Sequence, residues 1–536
     1  MTLLKLLGLL LLAVLLTGVV VRLLNPLPSL EPRAMSHMLT DTRDTPLGRG
    51  AGTAADAHPG LTGLRPLNDG RSAYAARALL ARAATRSLDV QYYIWKGDLS
   101  GSLLLQEMRA AADRGVRVRM LLDDNGIAGL DAPLAALDQH PNVEVRLFNP
   151  FVVRSPKMIG YLTDFPRLNR RMHNKSFTAD NQVTIIGGRN VGDEYFGAQD
   201  DGLFADLDIL AVGPAVTAVS RDFDRYWSSA SAYTAASILP PVGPDQIEEI
   251  GKAAVVAARA PAAQAYLQAV RSLPFVDAVR AGTLTFEWAP VRMVSDDPAK
   301  ALGRADPEGM LTAKLAEILG KPMREIALVS GYFVPTQAGE DAFVQLAREG
   351  VTVSILSNAF ETTDVAIVHA GYAGRRKALL RGGVRLFEMR KSGGLAADPP
   401  SFSLGGSGSR LSGGDGIGGP GSVLRSSAST LHAKTFSVDR RRMFVGSFNF
   451  DPRSMHLNTE LGFVIESPSL AAALAVSFET EIPLRTYEVR LTAKDDLVWI
   501  ERNGTRTIRH TVEPGSTRLQ RFSVKLLSHL PIEWLL

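Results

Sequence analysis

The chain begins with a long run of hydrophobic residues. After Lys5, residues 6–21 are almost wholly apolar, and Arg22 and two leucines follow. Crossing the hydrocarbon layer takes about 20 apolar residues, so residues 1–25 are predicted to be a membrane anchor. The alternative is a cleaved signal peptide, although no convincing small-residue cleavage site follows Val21. Residues 26–66 are rich in Pro, Gly, Ala and Thr without a regular period, which indicates a linker.

From residue 67 the pattern becomes periodic. Residues 72–86 have helical spacing and 87–95 have strand composition, and a helix at 103–114 and a buried-type strand at 116–122 follow. The same order returns later, with helices at 311–319 and 341–348 and strands at 325–330 and 351–357. Alternating helices and strands indicate an α/β protein, and the long repeat predicts two similar halves.

The remaining segments complete a predicted domain division. The first domain covers 67–239 and the second covers 283–484, joined by an alanine-rich helical linker at 240–282. A loop dense in Gly and Ser at 391–428 interrupts the second domain. Residues 485–536 are expected to form a C-terminal closing segment.

Composition narrows the chemistry only slightly. Of the 536 residues, 46% are hydrophobic and 21% charged, which is ordinary for a folded protein. The net charge of +4 suits contact with anionic lipid or nucleic acid, and a solvated surface explains it equally well. The absence of cysteine excludes disulfides, thiolate metal sites and cysteine nucleophiles.

One chemical motif occurs twice, once in each half. Each copy reads H-x-K-x4-D-x6-G-[GS]-x-N, and histidine and asparagine are 17 residues apart in both. The residues are His173, Lys175, Asp180 and Asn190 in the first copy, and His432, Lys434, Asp439 and Asn449 in the second. Two full copies at equal internal spacing almost never arise by chance.

These residue types suit reactions at phosphorus. Histidine and lysine two positions apart on a strand point the same way, so each motif delivers an imidazole and an ammonium group to one cleft. One neutral imidazole can attack phosphorus while the other, protonated, donates to the leaving oxygen. Lysine and asparagine donors stabilise charge on the phosphoryl oxygens, so no metal or cofactor is needed. Asp206 and Glu460 are the predicted carboxylates that orient the histidines, whereas Asp180 and Asp439 are expected to fix loops beside the motifs.

The duplicated motif resembles that of the phospholipase D superfamily, and residues 446–461 resemble the second motif of bacterial cardiolipin synthases. The resemblance implies two phospholipase D-like domains, each a mixed β-sheet between helices, with one active site at their interface. It also implies a phosphohistidine intermediate, with His173 the nucleophile and His432 the acid. Expected partners are phosphatidylglycerol, phosphatidylethanolamine as a further donor, and the bacterial cell membrane, and no nucleic acid is expected.

Several alternatives stay open at this point. A hydrolase releasing phosphatidic acid would use the same residues as a phosphatidyltransferase, and so would a nuclease of the superfamily. Tyr92, Tyr93 and Trp95 are expected in the core rather than at substrate. A basic stretch before His173 is interpreted either as a grip on lipid headgroups or as a solvated loop; it comprises Arg154, Lys157, Arg167, Arg170 and Arg171.

Overall fold

The structure is a computed structural model that describes residues 2–31, 33–198, 203–363, 365–391 and 430–528. Of the predicted Gly/Ser-rich loop at 391–428, all but residue 391 lies outside these ranges, and so do residues 529–536 of the closing segment.

The described residues form helices and strands in mixed order along the whole chain. The helices are α1 Thr2–Leu24, α2 Pro46–Asp56, α3 Gly70–Ala83, α4 Leu99–Asp113, α5 Asp131–Asp138, α6 Met158–Leu168, α7 Asp193–Phe196, α8 Pro214–Trp227, α9 Ala235–Ile238, α10 Pro244–Arg259, α11 Pro261–Arg271, α12 Pro274–Ala281, α13 Leu311–Leu319, α14 Gln337–Arg348, α15 Ala366–Ala373, α16 Arg376–Arg381, α17 Pro452–His456, α18 Pro468–Ser477, α19 Ile482–Arg485 and α20 Arg518–Leu527. Short 3₁₀ turns occupy Pro298–Leu302, Pro307–Gly309 and Phe360–Thr362.

The strands are β1 Thr62–Leu67, β2 Ser87–Ile94, β3 Arg117–Gly126, β4 Val143–Phe148, β5 Ser176–Ala179, β6 Val183–Gly187, β7 Phe204–Ala205, β8 Asp208–Val212, β9 Ala232–Thr234, β10 Glu287–Ala289, β11 Val291–Ser295, β12 Glu325–Ser330, β13 Thr352–Asn358, β14 Arg385–Met389, β15 Thr430–Leu431, β16 Lys434–Val438, β17 Arg442–Gly446, β18 Leu461–Ile465, β19 Thr486–Leu491, β20 Leu497–Asn503 and β21 Arg506–His510.

Two large mixed sheets carry the fold and repeat one topology. Within the described residues the first runs β10-β1-β8-β6-β5-β2-β3-β4-β9, and the second runs β11-β18-β17-β16-β12-β13-β14-β19-β20-β21. In each sheet three central strands are parallel, β2-β3-β4 and β12-β13-β14, and the motif strands beside them are antiparallel. The α/β class and the duplicated domains predicted from the sequence are confirmed.

An apolar layer joins the two sheets. It collects Leu64, Ile186 and Ile209 from the first half, and Val329 and Phe463 from the second, all buried. Separate apolar clusters lie on the outer face of each sheet, under helices such as α3 and α4 in the first half and α13 and α14 in the second. The halves therefore share one buried interface, and it positions the motif strands against each other.

The segment predicted as a linker at 26–66 contains regular structure. It includes α2 and β1, and β1 pairs antiparallel with both β8 and β10. The guanidinium of Arg33 donates to the carbonyls of Ser228 and Ser229 at 2.6 and 2.8 Å. The expectation of an irregular linker is wrong here because β1, with the sequence TGLRPL, is buried on both faces and shows no alternation.

The C-terminal segment also joins the main fold. Strand β19 pairs antiparallel with β14, and β20 and β21 extend the same sheet. Residues 486–510 are therefore the outer strands of the second half.

The N-terminal helix α1 packs its second half against α6, where Gly18 lies close to the carbonyl oxygen of Leu162. Arg22 lies 3.7 Å from Asp164 in the same contact. Most of the apolar side chains that the structure describes in α1 are exposed. Across the described ranges, no helix combines the length and the apolarity needed to span a membrane.

Candidate active site

Each motif histidine is held by the backbone of the opposite half. The amide of His173 donates to the carbonyl of Thr459 at 2.9 Å, and the amide of Thr459 donates to the carbonyl of Arg171. In the second half the amide of His432 donates to the carbonyl of Ala205 at 2.8 Å, where β15 pairs in parallel with β7. Both histidines therefore sit on short strand-like crossings between the halves.

The two carboxylates predicted to orient the histidines also contact the opposite half. Nδ1 of His173 lies 2.8 Å from Oε2 of Glu460, and Nδ1 of His432 lies 2.6 Å from Oδ2 of Asp206. Since a carboxylate only accepts, each Nδ1 carries the proton and each Nε2 is left for substrate. The sequence identified both carboxylates but gave no pairing, and the structure shows that the pairing is crossed.

The two half-sites differ in how they hold the carboxylate. Glu460 accepts from the hydroxyls of Ser447 and Ser454 at 2.5 and 2.8 Å. Asp206 accepts from the amide of Leu207 at 2.8 Å, and Gly188 stands where the second motif has Ser447. A Cβ on Gly188 would overlap the Asp206 carboxylate, so the glycine leaves the room that this shorter side chain occupies.

Both lysines are buried beside their histidines. Nζ of Lys175 donates to the carbonyl of His173 at 2.5 Å. Nζ of Lys434 donates to the carbonyl of His432 and lies 2.9 Å from its Nδ1. We assign the Nδ1 proton to the bond with Asp206 because that carboxylate cannot donate.

Burial and charge set the protonation states of the cleft. Desolvation, then the charges of Lys175 and Lys434, hold the pKa of His173 well below its usual value. Desolvation also lowers the pKa of His432 and raises that of Glu460 to about 7. For Asp206 desolvation raises the pKa, but the charges of His432, Lys434 and Arg189 outweigh it, and the pKa lies below the usual value. His173 is therefore suited to act as a neutral nucleophile, and His432 has the more firmly ionised partner.

The motif asparagines are not equivalent. Oδ1 of Asn190 accepts from the amide of Ile94 at 3.2 Å, and its Nδ2 donates to the hydroxyl of Tyr195 at 3.0 Å. The Oδ1 atom of Asn449 is buried without a hydrogen-bond partner. Asn190 thus has structural contacts, whereas Asn449 has an unused polar atom.

Asp180 and Asp439 lie at the far ends of β5 and β16 from the histidines. Asp180 accepts from the amides of three consecutive residues beginning at Thr85, and Asp439 does the same for three beginning at Met323. These equivalent contacts fix the turn that enters the first parallel strand of each half.

Aromatic rings line the cleft. Tyr93 lies edge-on to His173, with centroids 5.1 Å apart, and Phe204 stacks on His432 at 5.3 Å. Tyr92 and Trp95 are buried in the core as expected, but Tyr93 is at the site. The β2–β3 register shifts between Tyr92 and Ile94, and such irregularities re-aim side chains. Alternation along the sequence does not reveal this bulge.

The basic stretch before His173 contacts the protein itself. Arg154 and Lys157 donate to Asp131 and Asp124 at 2.9 and 3.0 Å, and Arg171 is buried 3.2 Å from Asp123. The remaining two, Arg167 and Arg170, donate to Asp164 and to the carbonyls of Lys300 and His456. The interpretation as a solvated loop is wrong, since these side chains brace the segment that carries His173, and a grip on lipid headgroups stays a prediction. Asp123 adds to this by accepting from the amide of Met172 at 2.8 Å.

In the ranges that the structure describes, no group of three or more histidines and carboxylates is placed to hold a metal ion. Lys175 and Lys434 are the lysines whose charges act on His173 in the described part of the cleft.

Two histidine–lysine half-sites, brought together by duplicated α/β domains, define a class of enzyme that cleaves or transfers phosphodiesters through paired histidines. A family model described as "Cardiolipin synthase, PLD-like domain" matches residues 78–227 and 416–482. Cardiolipin synthase C of Escherichia coli K12 is 46% identical over 479 residues, or 89% of this chain and 97% of that protein. Cardiolipin synthase A of Salmonella arizonae is 25% identical over 78% of this chain and 68% of its own length.

The fold is also that of a crystal structure of phosphatidylserine synthase from Haemophilus influenzae, with a TM-score of 0.53 at 12% identity over 89% of this chain and 96% of the other. The chain belongs to the cardiolipin synthase family of the phospholipase D superfamily. It is a phosphatidyltransferase of the phospholipase D type.

Proposed function

We propose that this chain makes cardiolipin by moving a phosphatidyl group from one phosphatidylglycerol to the head-group hydroxyl of another. The observation that carries the proposal is the crossed pairing of His173 with Glu460 and of His432 with Asp206. Because a carboxylate contacts each Nδ1 atom, the two Nε2 atoms are left for substrate in the same cleft.

In the first step, Nε2 of His173 attacks phosphorus. His432 enters this step as the imidazolium, with a proton on each ring nitrogen. The bond from phosphorus to the head-group glycerol oxygen breaks, and that oxygen takes the proton from Nε2 of His432. The phosphatidyl group is then held on His173 as a phosphoramidate. Lys175 and Lys434 balance the negative charge on the phosphoryl oxygens.

In the second step, a hydroxyl of a second phosphatidylglycerol gives its proton to Nε2 of His432 and attacks phosphorus. The P–N bond breaks and His173 is restored. Assigning the nucleophile to His173 is supported by its low pKa and by the weaker ionisation of its partner Glu460. His432 beside the ionised Asp206 is the better proton carrier.

Transfer requires a lipid alcohol to reach phosphorus before water does. The buried histidines and the rings of Tyr93 and Phe204 give the cleft an apolar wall that disfavours water. The apolar N-terminal segment 1–25 would hold the enzyme on the bacterial membrane, where acceptor lipid is concentrated. A well-positioned acceptor hydroxyl has an effective molarity of roughly 10⁵–10⁸ M in favourable cases, which is far above the concentration of water in bulk solution.

The test is product analysis in liposomes. Phosphatidylglycerol labelled in its diacylglycerol part should yield mainly cardiolipin, and unlabelled phosphatidylethanolamine added as an alternative donor should release ethanolamine only if it is used. His173→Ala should lose all product, whereas His140→Ala, which changes a histidine on the loop before β4, should keep wild-type activity. Phosphatidic acid as almost the sole product would replace the synthase by a hydrolase.

A further inference from the structure

The helix α20 presents an apolar stripe to solvent. Leu519, Phe522 and Leu526 are 75%, 65% and 57% exposed. At 100° per residue these three side chains fall within about 60° of one another, on one face of the helix. Arg518 and Lys525 lie along one edge of that face.

The opposite face of α20 is the one that packs. Val524 is buried and α20 lies against α15. In the loop before α20, Glu513 lies 2.8 Å from Nε2 of His369 and accepts from Arg376 at 2.6 Å, and both partners are buried. The helix is therefore fixed to the second half, with its apolar stripe directed outward.

α20 packs on the helix that follows the carboxyl end of β13, a strand whose last residue contacts the chain next to His432. Strand β13 ends at Asn358, whose side chain bonds both the amide and the carbonyl of Leu431, the residue before His432. The chain then runs through the turn Phe360–Thr362 into α15, on which α20 packs. Sites in such folds lie at the carboxyl ends of the parallel strands, so α20 borders this one.

In the first half, helix α6 lies near the end of the parallel strand β3 and has an exposed apolar side chain. Near the end of β3, Asn125 accepts from the hydroxyl of Tyr161 on α6, and its amide lies 3.4 Å from the hydroxyl of Tyr93. Helix α6 exposes Leu162 and carries α1 against it. Exposed apolar helices thus flank the active-site edge on both halves.

We infer that α20 docks on an anionic phospholipid bilayer, inserting Leu519, Phe522 and Leu526 beside the acyl chains while Arg518 and Lys525 face the headgroups. With α1 and α6 on the other side, the enzyme would sit on the membrane with its cleft turned towards the lipid. This inference rests on the proposed lipid substrate and adds a second contact to the N-terminal segment.

The chain contains no cysteine, so a single Phe522→Cys carries an environment-sensitive dye without background labelling. On full-length protein, vesicles containing phosphatidylglycerol should shift the dye emission to the blue. Vesicles of pure phosphatidylcholine should bind the protein with an affinity at least about tenfold lower, because the two basic residues then have no anionic headgroups to contact. The matched control is Arg348→Cys at the end of α14, at the opposite edge of the sheet, where no shift is expected.

A functional arm uses Leu519→Gln/Phe522→Gln/Leu526→Gln, with Val255→Gln/Val256→Gln on α10 as the control that also removes exposed apolar surface. Turnover of phosphatidylglycerol in vesicles should fall about tenfold or more in the triple variant only. Turnover of a short-chain, monomerically dissolved phosphatidylglycerol should be unchanged.

The outcomes separate the two proposals. A dye at 522 that does not respond while the protein sediments with vesicles overturns the docking of α20. Emission that is already blue-shifted without vesicles also overturns it, since another segment or a second copy then covers the stripe. Wild-type protein that binds vesicles through α20 but turns over neither substrate overturns the proposed function and leaves the docking intact.

Discussion

The crossed carboxylates predict that two conservative substitutions have very different consequences. Oδ2 of Asp206 accepts from His432 and its Oδ1 accepts from the amide of Leu207. In Asp206→Asn, the amide nitrogen must face one of these donors. The amide of Leu207 is a backbone donor that cannot accept, so the remaining oxygen stays with it. The side-chain nitrogen then donates to Nδ1 of His432 and puts the imidazole proton on the wrong nitrogen.

Glu460→Gln can keep the contacts that orient His173. Oε1 of Glu460 accepts only from the hydroxyl of Ser454 among its described contacts, and a hydroxyl can also accept. The amide nitrogen can occupy that place while the remaining oxygen keeps its contacts to His173 and Ser447. The tautomer of His173 is preserved and only the negative charge is lost.

Losing the tautomer in a histidine–aspartate pair costs about 10⁴-fold in kcat, or about 5.4 kcal/mol at 1.36 kcal/mol per tenfold. Weakening the contact behind a catalytic side chain, as in Glu460→Gln, lowers activity about 10–100-fold, or about 1.4–2.7 kcal/mol. We therefore expect Asp206→Asn to be about 100–1000-fold less active than Glu460→Gln. The assay is initial-rate transfer in mixed micelles at saturating lipid, with thermal melting to exclude unfolding. Equal losses, or a larger loss for Glu460→Gln, would refute the assignment of protons.

Three further predictions follow from the same geometry. Gly188→Ala should lower activity about 10³-fold or more by displacing Asp206, whereas Ser447→Ala, which removes one hydroxyl from Glu460, should cost about 10–100-fold; kcat for both variants checks this. Burial raises the pKa of Glu460 to about 7, so the carboxylate that orients His173 is lost as pH falls through 7; kcat/KM should drop on that side, and Glu460→Gln should remove the drop. Activity should survive excess EDTA because two lysines supply the positive charge, and inactivation that added Mg²⁺ or Zn²⁺ reverses would contradict this.

The periodic segments were predictable because their signals are local. Strand β12 and helix α13 have the predicted bounds, since each is a short apolar or amphipathic run between Gly, Pro and charged residues. The repeated motif likewise identified the superfamily, as the comparisons confirm. Two copies of the motif with the same internal spacing indicate a superfamily more specifically than amino-acid composition does.

The features that the sequence did not reveal depend on distant contacts. Strand β1 contains Gly63 and Pro66 and forms only because β8 and β10 lie beside it, more than a hundred residues later. The crossing of Asp206 to His432 depends on the docking of the two halves, which local spacing does not encode. Similarly, Arg171 has a basic sequence environment, but the fold buries it against Asp123.

A single variant tests whether one histidine bonds covalently to the phosphatidyl group while the other moves protons. In His432→Ala, a phosphatidyl ester of p-nitrophenol needs no acid to leave, but the second step lacks its base. We expect a burst of about one nitrophenol per site and an acid-labile phosphatidyl group trapped on the peptide that contains His173. No burst, or a burst that persists in the double variant His173→Ala/His432→Ala, would contradict it.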